Sequence, residues 1–383
     1  MLSTLAIAGY RSLRDVALPL SALTVITGAN GTGKSSVYRS LRLLAEASRN
    51  GAIAALAREG GLPSTLWAGP ANGTPDGHPT QGTRRNGPIS LRLGFASDEF
   101  SYAIDLGLPT PSNLTMFGLD PEIKAEAVWS GPQFRPSTLL TQRHGSMVQI
   151  RGAAGEWSRV EHSLRPYDSM LSELADPSAA PELMALREQI RGWRFYDHFR
   201  TDASAPARSA QVGTRTPVLS HDGSDLAAAL QTIRELAPSG SLDAAMDRAF
   251  PGSRVQVQDH DGWFSLAVQQ PGLLRPLGAG ELSDGTLRYL LWMAALLSPR
   301  PPALLVLNEP ETSLHPSLVE PLAGLIAVAS ENSQVVVVSH SARLIESLTA
   351  LGASGIELEK RSGETAVVGQ GFLERPAWSW PKR

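Results

Sequence analysis

The chain contains no cysteine. A disulfide framework, a thiolate metal site, an iron–sulfur cluster and a cysteine nucleophile are therefore excluded, and the chain is indifferent to redox compartment. Neither sign of charge dominates: 34 Lys plus Arg stand against 37 Asp plus Glu, a formal net charge of -3. That balance argues against a strongly basic nucleic-acid coat and a polybasic membrane binder, while leaving room for a local basic patch. Long apolar runs are missing too, and the stretch 289–297 falls far short of the roughly 18 to 20 residues of a spanning helix. Arg11 and Arg14 interrupt any leader-like pattern at the start. Neither a signal peptide nor a membrane span is expected, and the cytoplasm is the default location. No long heptad run and no fixed-period repeat occurs.

What is present is 383 residues, 42% hydrophobic and 19% charged. An average soluble chain is roughly 25% charged, so this one is expected to be globular with a sizeable core, in one large domain or two to three ordinary ones. Residues 5–7 and 23–27 read as strands, 28–33 as a Gly-rich loop and 34 to 58 as a helix, the opening of an α/β nucleotide-binding domain. Gly and Pro crowd residues 60–88, where no regular element is expected. Short alternating runs over 89–160 predict antiparallel strands, and helical spacing dominates from 168 to 250. Further on, 287–297 reads as an apolar helix and 304–307 and 335–338 as buried strands, with helices starting near Pro316 and Ser341. The expected organisation is one nucleotide-binding head built from 1–150 and 251–383, with a mainly helical insertion at 151–250.

The run Gly28-Ala29-Asn30-Gly31-Thr32-Gly33-Lys34-Ser35 fits G-x-x-x-x-G-K-[ST] without a mismatch, between a strand and a helix. Its glycines let successive N–H groups, from Asn30 through Gly31 and Gly33 to Ser36, turn toward phosphate. Lys34 would reach the β and γ phosphates, and the Ser35 hydroxyl would face Mg²⁺. A Gly-rich turn that binds nothing is the competing reading, disfavoured by the complete match in this context. The strand at 304–307 ends in Asn308-Glu309-Pro310, which places a polar pair at the carboxyl edge of the sheet, where open α/β sheets bind ligands. Glu309 is the candidate general base for activating water. A solvated or helix-capping Glu is the plainer alternative.

Together with the phosphate loop, three further motifs resemble those of ATP-binding-cassette type ATPases of the RecF/SMC/Rad50-like branch, close to predicted AAA-type and OLD-like ATPases. Glu281-Leu282-Ser283-Asp284-Gly285-Thr286 is similar to the signature. The run Asn308-Glu309-Pro310-Glu311-Thr312-Ser313-Leu314-His315-Pro316 is similar to Walker B plus D-loop. Val335 to Val338 followed by Ser339-His340 is similar to the switch histidine. The resemblance implies an α/β P-loop NTPase of ABC-ATPase type with an antiparallel β subdomain and a mainly helical insertion. It also implies ATP and Mg²⁺ as cofactors, and a homodimer that sandwiches ATP between the phosphate loop of one copy and Ser283 and Gly285 of the other. His340 would contact the γ phosphate or the attacking water, and Asn308 would reach Mg²⁺ through water. A lone His at such a strand end is otherwise structural.

Two departures stand out. The family usually has Asp where Asn308 stands, which predicts slower hydrolysis because a neutral amide attracts Mg²⁺ less strongly. Asp284 replaces the first signature glycine. Tyr10-Arg11-Ser12 resembles an element that approaches the base or phosphates, while Gln133 and Gln142 are unresolved candidates for the Gln-loop. The segment 191–200 mixes aromatic and basic residues that suit nucleic acid, or equally a half-buried strand with Trp193, Phe195 and Phe199 in the core. Arg208 and Arg215 lie in what reads as a connector. The 43 residues after His340 are short for a metal-dependent nuclease domain, so a separate nuclease or effector protein is the expected partner, with DNA a further candidate and no membrane. The leading expectation is a Mg²⁺-dependent ATPase whose dimerisation regulates DNA repair, chromosome maintenance or defence against foreign DNA. An ATP-gated scaffold with little hydrolysis is the alternative, and a transporter ATPase subunit ranks below both.

Overall fold

Strands Leu2–Tyr10 and Leu13–Pro19 fold back on each other with Tyr10 opposite Leu13, and Arg11 makes the tight turn with φ 49°. In the computed structural model, which describes residues 1–49, 51–69, 90–113, 115–152, 154–161, 163–174, 178, 180–371 and 373–382, this hairpin begins the first of two units. That unit comprises 1–21, 26–193 and 356–383; the second comprises 22–25 and 194–355. The chain passes from the second into the first within the strand Leu23–Gly28. Most of the Gly- and Pro-rich stretch at 60–88 lies outside the described residues, although its start forms the short helix Leu62–Thr65.

The first unit carries an eight-stranded antiparallel sheet, in the order Leu13–Pro19, Leu2–Tyr10, Leu91–Ser97, Phe100–Gly107, Glu122–Ser130, Leu139–His144, Met147–Arg151 and Trp157–Arg159. The antiparallel strands expected over 89–160 are therefore present. Trp129 anchors one face, with ring centroids 5.3 Å from Phe134 and 5.6 Å from Trp378. Gly94 lies under Trp378, whose ring would come within 2.7 Å of any Cβ there. Within the unit the Arg143–Glu126 ion pair is completely buried, 3.0 Å apart. Tyr102, Ser169 and the Met170 N–H also donate to Glu126, and Arg143 donates to the Arg165, Asp168 and Gly145 carbonyls. Burial, then the Glu126 charge, pushes the Tyr102 hydroxyl pKa well above its ordinary value.

Helix Lys34–Ala47 buries Val37, Leu41 and Leu44 on one stripe. It stops well before 58. The Ser48 hydroxyl bonds the Ala45 carbonyl, and the Gly51 N–H folds back 2.8 Å onto the Glu46 carbonyl, a wrapped bond that closes a helix end. A separate helix, Ala52–Arg58, follows.

In the second unit, strands Arg194–Tyr196, Leu304–Asn308 and Gln334–Val338 lie side by side and parallel. The Val335 N–H reaches the Ala22 carbonyl at 2.8 Å. The runs Leu304 to Leu307 and Val335 to Val338 are buried, as parallel strands covered on both faces must be. Helix Asp284–Leu296 supplies the centre of the core, with Trp292 edge-on to Phe199 at 4.9 Å. Helices Leu226–Leu236, Ser241–Ala249, Val319–Ala329 and Ala342–Ala350 and the hairpin Arg254–His260 with Trp263–Gln269 complete the unit. Residues 151–250 hold the helices Pro181–Arg191, Leu226–Leu236 and Ser241–Ala249. The unit boundary falls inside that stretch because Arg194–Tyr196 pairs with Leu304–Asn308.

Candidate functional site

In the first unit the loop after strand Leu23–Gly28 turns through three glycines at positive φ: Gly28 at 141°, Gly31 at 82° and Gly33 at 109°. At Gly33 the requirement is double. Its backbone is one that L side chains rarely adopt, and a Cβ would lie 2.4 Å from the Thr365 hydroxyl. Thr365 braces the loop: its hydroxyl donates to the Thr32 carbonyl at 2.7 Å and lies 2.8 Å from the Ser12 hydroxyl, from which it can accept. Ala29, Asn30, Gly31 and Ser35 are exposed, whereas Ser36 is buried and its N–H is bonded to the Gly33 carbonyl. The Lys34 ammonium folds back across the loop, donating to Gly28 O at 2.6 Å and Ala29 O at 3.0 Å. An ammonium has three donors, and an arriving phosphate would compete for those held by these neutral carbonyls.

In the second unit the strand Leu304–Asn308 delivers Asn308 and Glu309 at its carboxyl end. Glu309 takes a left-handed backbone, φ 50°, and its N–H bonds the Val338 carbonyl at 2.8 Å. Such a conformation is uncommon for a residue other than glycine. Parallel register sets Asn308 against Val338, so Glu309 and His340 leave adjacent strands together, with His340 Nδ1 3.5 Å from Glu309 Oε1. Glu311 lies behind them, buried. Its Oε1 accepts from the Ser339 hydroxyl and from the Ser341 N–H at 3.3 Å. The Asn308 amide donates to Asp197 Oδ1 at 2.6 Å, and its own carbonyl oxygen is buried without a hydrogen-bond partner among the described residues.

Ser283 caps helix Asp284–Leu296, accepting from the Thr286 N–H at 3.2 Å, and Gly285 follows within the first turn. Beneath this turn runs Arg208, which donates to the Ala279 and Leu282 carbonyls at 2.8 Å and to Asp284 Oδ1 at 2.6 Å. Arg208 is therefore not a residue of a bare surface connector. No sequence signal marks it.

Lys34, Asn30, Gly31, Gly33, Ser35 and Ser36 thus belong to the first unit, and Asn308, Glu309, His340, Ser283 and Gly285 to the second. Several other candidates take structural places. Tyr10 is fully buried, its hydroxyl bonded to Glu59 at 2.6 Å beside Arg11, so its ring does not face a ligand. Trp193, Phe195 and Phe199 are buried, which corrects the nucleic-acid reading of 191–200: stacking needs an open ring face. Gln142 pairs with Gln149 across two strands and Gln133 with Arg135.

The family described as "AAA domain, putative AbiEii toxin, Type IV TA system" matches residues 23–346. No curated protein matches the chain. Among solved structures, an Smc head bound to the C-winged helix domain of ScpA is 14% identical and has a TM-score of 0.50, covering 97% of this chain and 99% of that one. The SMC head domain from Thermotoga maritima is 15% identical, covers 96% of this chain and 98% of that one, and has a TM-score of 0.49. At such identity the first likeness is one of fold: an α/β architecture of ABC-ATPase head type, with parallel and antiparallel sheets and helical insertions.

Proposed function

The chain belongs to this AAA-domain family, and from that premise we propose that it is a Mg²⁺-dependent ATPase whose ATP-driven head dimerisation switches a DNA-directed process. The observation that carries the reading is the pairing of Glu309 with His340 at 3.5 Å on the ends of two buried parallel strands, in a chain that also carries an intact phosphate loop.

The amides of Asn30, Gly31 and Gly33 and the Lys34 ammonium hold the triphosphate, with Ser36 behind them. Lys34 exchanges the Gly28 and Ala29 carbonyls for phosphate oxygens. Glu309 accepts the proton of the attacking water, and His340 orients that carboxylate and water. The residue chemistry in each unit suits Mg²⁺: the first offers the exposed Ser35 hydroxyl, and the second the Asn308 carbonyl oxygen, which has no hydrogen-bond partner among the described residues and would reach the ion through water. When bound with nucleotide, the ion neutralises charge on the phosphates. Ser283 and Gly285 offer the amino end of helix Asp284–Leu296 to the triphosphate held by a second copy.

An Smc head binds the winged-helix domain of ScpA, which supports a protein partner for this head as well. A separate nuclease or effector acting on DNA in repair, chromosome maintenance or defence is that partner here. Among the described residues no helix is long and apolar enough to cross a membrane. The neutral Asn308 favours one second reading, an ATP-gated scaffold with little turnover. Phosphate release by wild type, Lys34→Ala and Glu309→Gln separates the possibilities. Turnover lost in both variants is expected, unchanged turnover in either overturns the ATPase, and nucleotide binding without wild-type turnover leaves the scaffold.

A further inference from the structure

The departure at Asn308 is answered by a neighbouring strand. Register places Tyr196 beside Leu307, so Asp197 and Asn308 emerge next to each other at the same sheet edge. The amide donates to Asp197 Oδ1 at 2.6 Å. An ionised carboxylate only accepts, so the NH₂ side of Asn308 must face Asp197 and the carbonyl oxygen must point away. That oxygen is buried and has no partner among the described residues. A buried acceptor without a partner is costly and calls for an explanation such as a bound ion or water.

Resting on the reading above, we propose that Asp197 is a positioning residue for the metal–nucleotide complex. It locks the Asn308 amide with its oxygen outward and supplies the negative charge that the amide lacks. Asp197 is exposed at the sheet edge, where water screens its charge over distance, so it acts at short range through the amide that it holds. Accepting from the N–H also draws electron density toward the amide oxygen, because linked hydrogen bonds polarise one another. The pair carries a single negative charge, as a lone aspartate at 308 would. A carboxylate at both positions would instead set two like charges at hydrogen-bond distance.

The test measures binding of a fluorescent N-methylanthraniloyl ATP analogue to the full chain as Mg²⁺ is raised from an EDTA baseline. Asp197→Asn is expected to raise the Mg²⁺ concentration for half-maximal metal-supported binding by roughly 10- to 100-fold, the range for an outer partner of a metal ligand. Binding in EDTA should stay unchanged, which a merely structural loss would not allow. Asn308→Asp should also be impaired, and the exchanged pair, Asp197→Asn with Asn308→Asp, should regain most of the lost Mg²⁺ response. A wild-type Mg²⁺ requirement in Asp197→Asn, or a loss that the exchange fails to repair, overturns the proposal. Wild type binding the analogue no better than Lys34→Ala would instead overturn the functional reading beneath it.

Discussion

Arg208 donates to Asp284 across 2.6 Å from beneath the turn that opens helix Asp284–Leu296, and its side chain is only 10% exposed while that of Asp284 is 63% exposed. This contact sets a largely buried cation against the carboxylate that lies between Ser283 and Gly285 in the chain. The guanidinium cancels its charge and ties down the Ala279 and Leu282 carbonyls at the same time.

Arg208→Ala should lower stability by about 2–3 kcal/mol, in the range for hydrogen bonds to a charged group, as read by urea unfolding. Arg208→Lys should recover only part of this, since an ammonium lacks the planar fork that serves the Thr201, Asp202, Ala279 and Leu282 carbonyls together with Asp284. If Asp284 is the relevant partner, the Arg208→Ala and Asp284→Ala effects will be clearly less than additive.

A second expectation concerns the turn behind Glu309. Glu311 holds Ser339 and Ser341 on either side of His340. Glu311→Ala should release that turn and lower kcat on the order of 10- to 100-fold, the usual consequence of a misplaced group, with KM for ATP nearly unchanged. Steady-state kinetics giving a rise in KM with normal kcat would contradict this role.

Glu309→Gln should bind ATP yet turn over about 10²- to 10⁴-fold more slowly, the contribution typical of a general base. Mass measurement of this variant is expected to show a dimer with ATP and Mg²⁺ that Ser283→Arg prevents. A monomer under all conditions, with DNA present or absent, would dismiss the sandwich.

The buried pair in the first unit makes a separate prediction. Arg143→Met leaves the Glu126 charge without its cation and should cost about 3–5 kcal/mol. Adding Glu126→Leu should restore only part of that stability in the same urea titration, because the uncompensated charge is gone but the Tyr102 and Ser169 hydroxyls and the Met170 N–H lose their acceptor.

Local chemistry was readable from the residues alone. The Gly28 to Ser35 run, the buried strands ending at Asn308 and Val338, and the Ser283 cap all follow from spacing, hydrophobic continuity and the needs of short-range backbone hydrogen bonds. The early end of helix Lys34–Ala47 was not apparent, because Leu56 continues the apolar spacing and the wrapped Gly51 bond interrupts it.

Partners far apart along the chain could be assigned only by folding. Thr365 lies 333 positions from Thr32, Asp197 lies 111 from Asn308, and Arg208 lies 76 from Asp284. A periodicity says which face of an element is buried, but not which other element covers it. Sheet register and core packing make that choice, so the residues and their local conformations were legible in the sequence, while the pairing that surrounds Asn308, His340 and Ser283 was decided by tertiary structure.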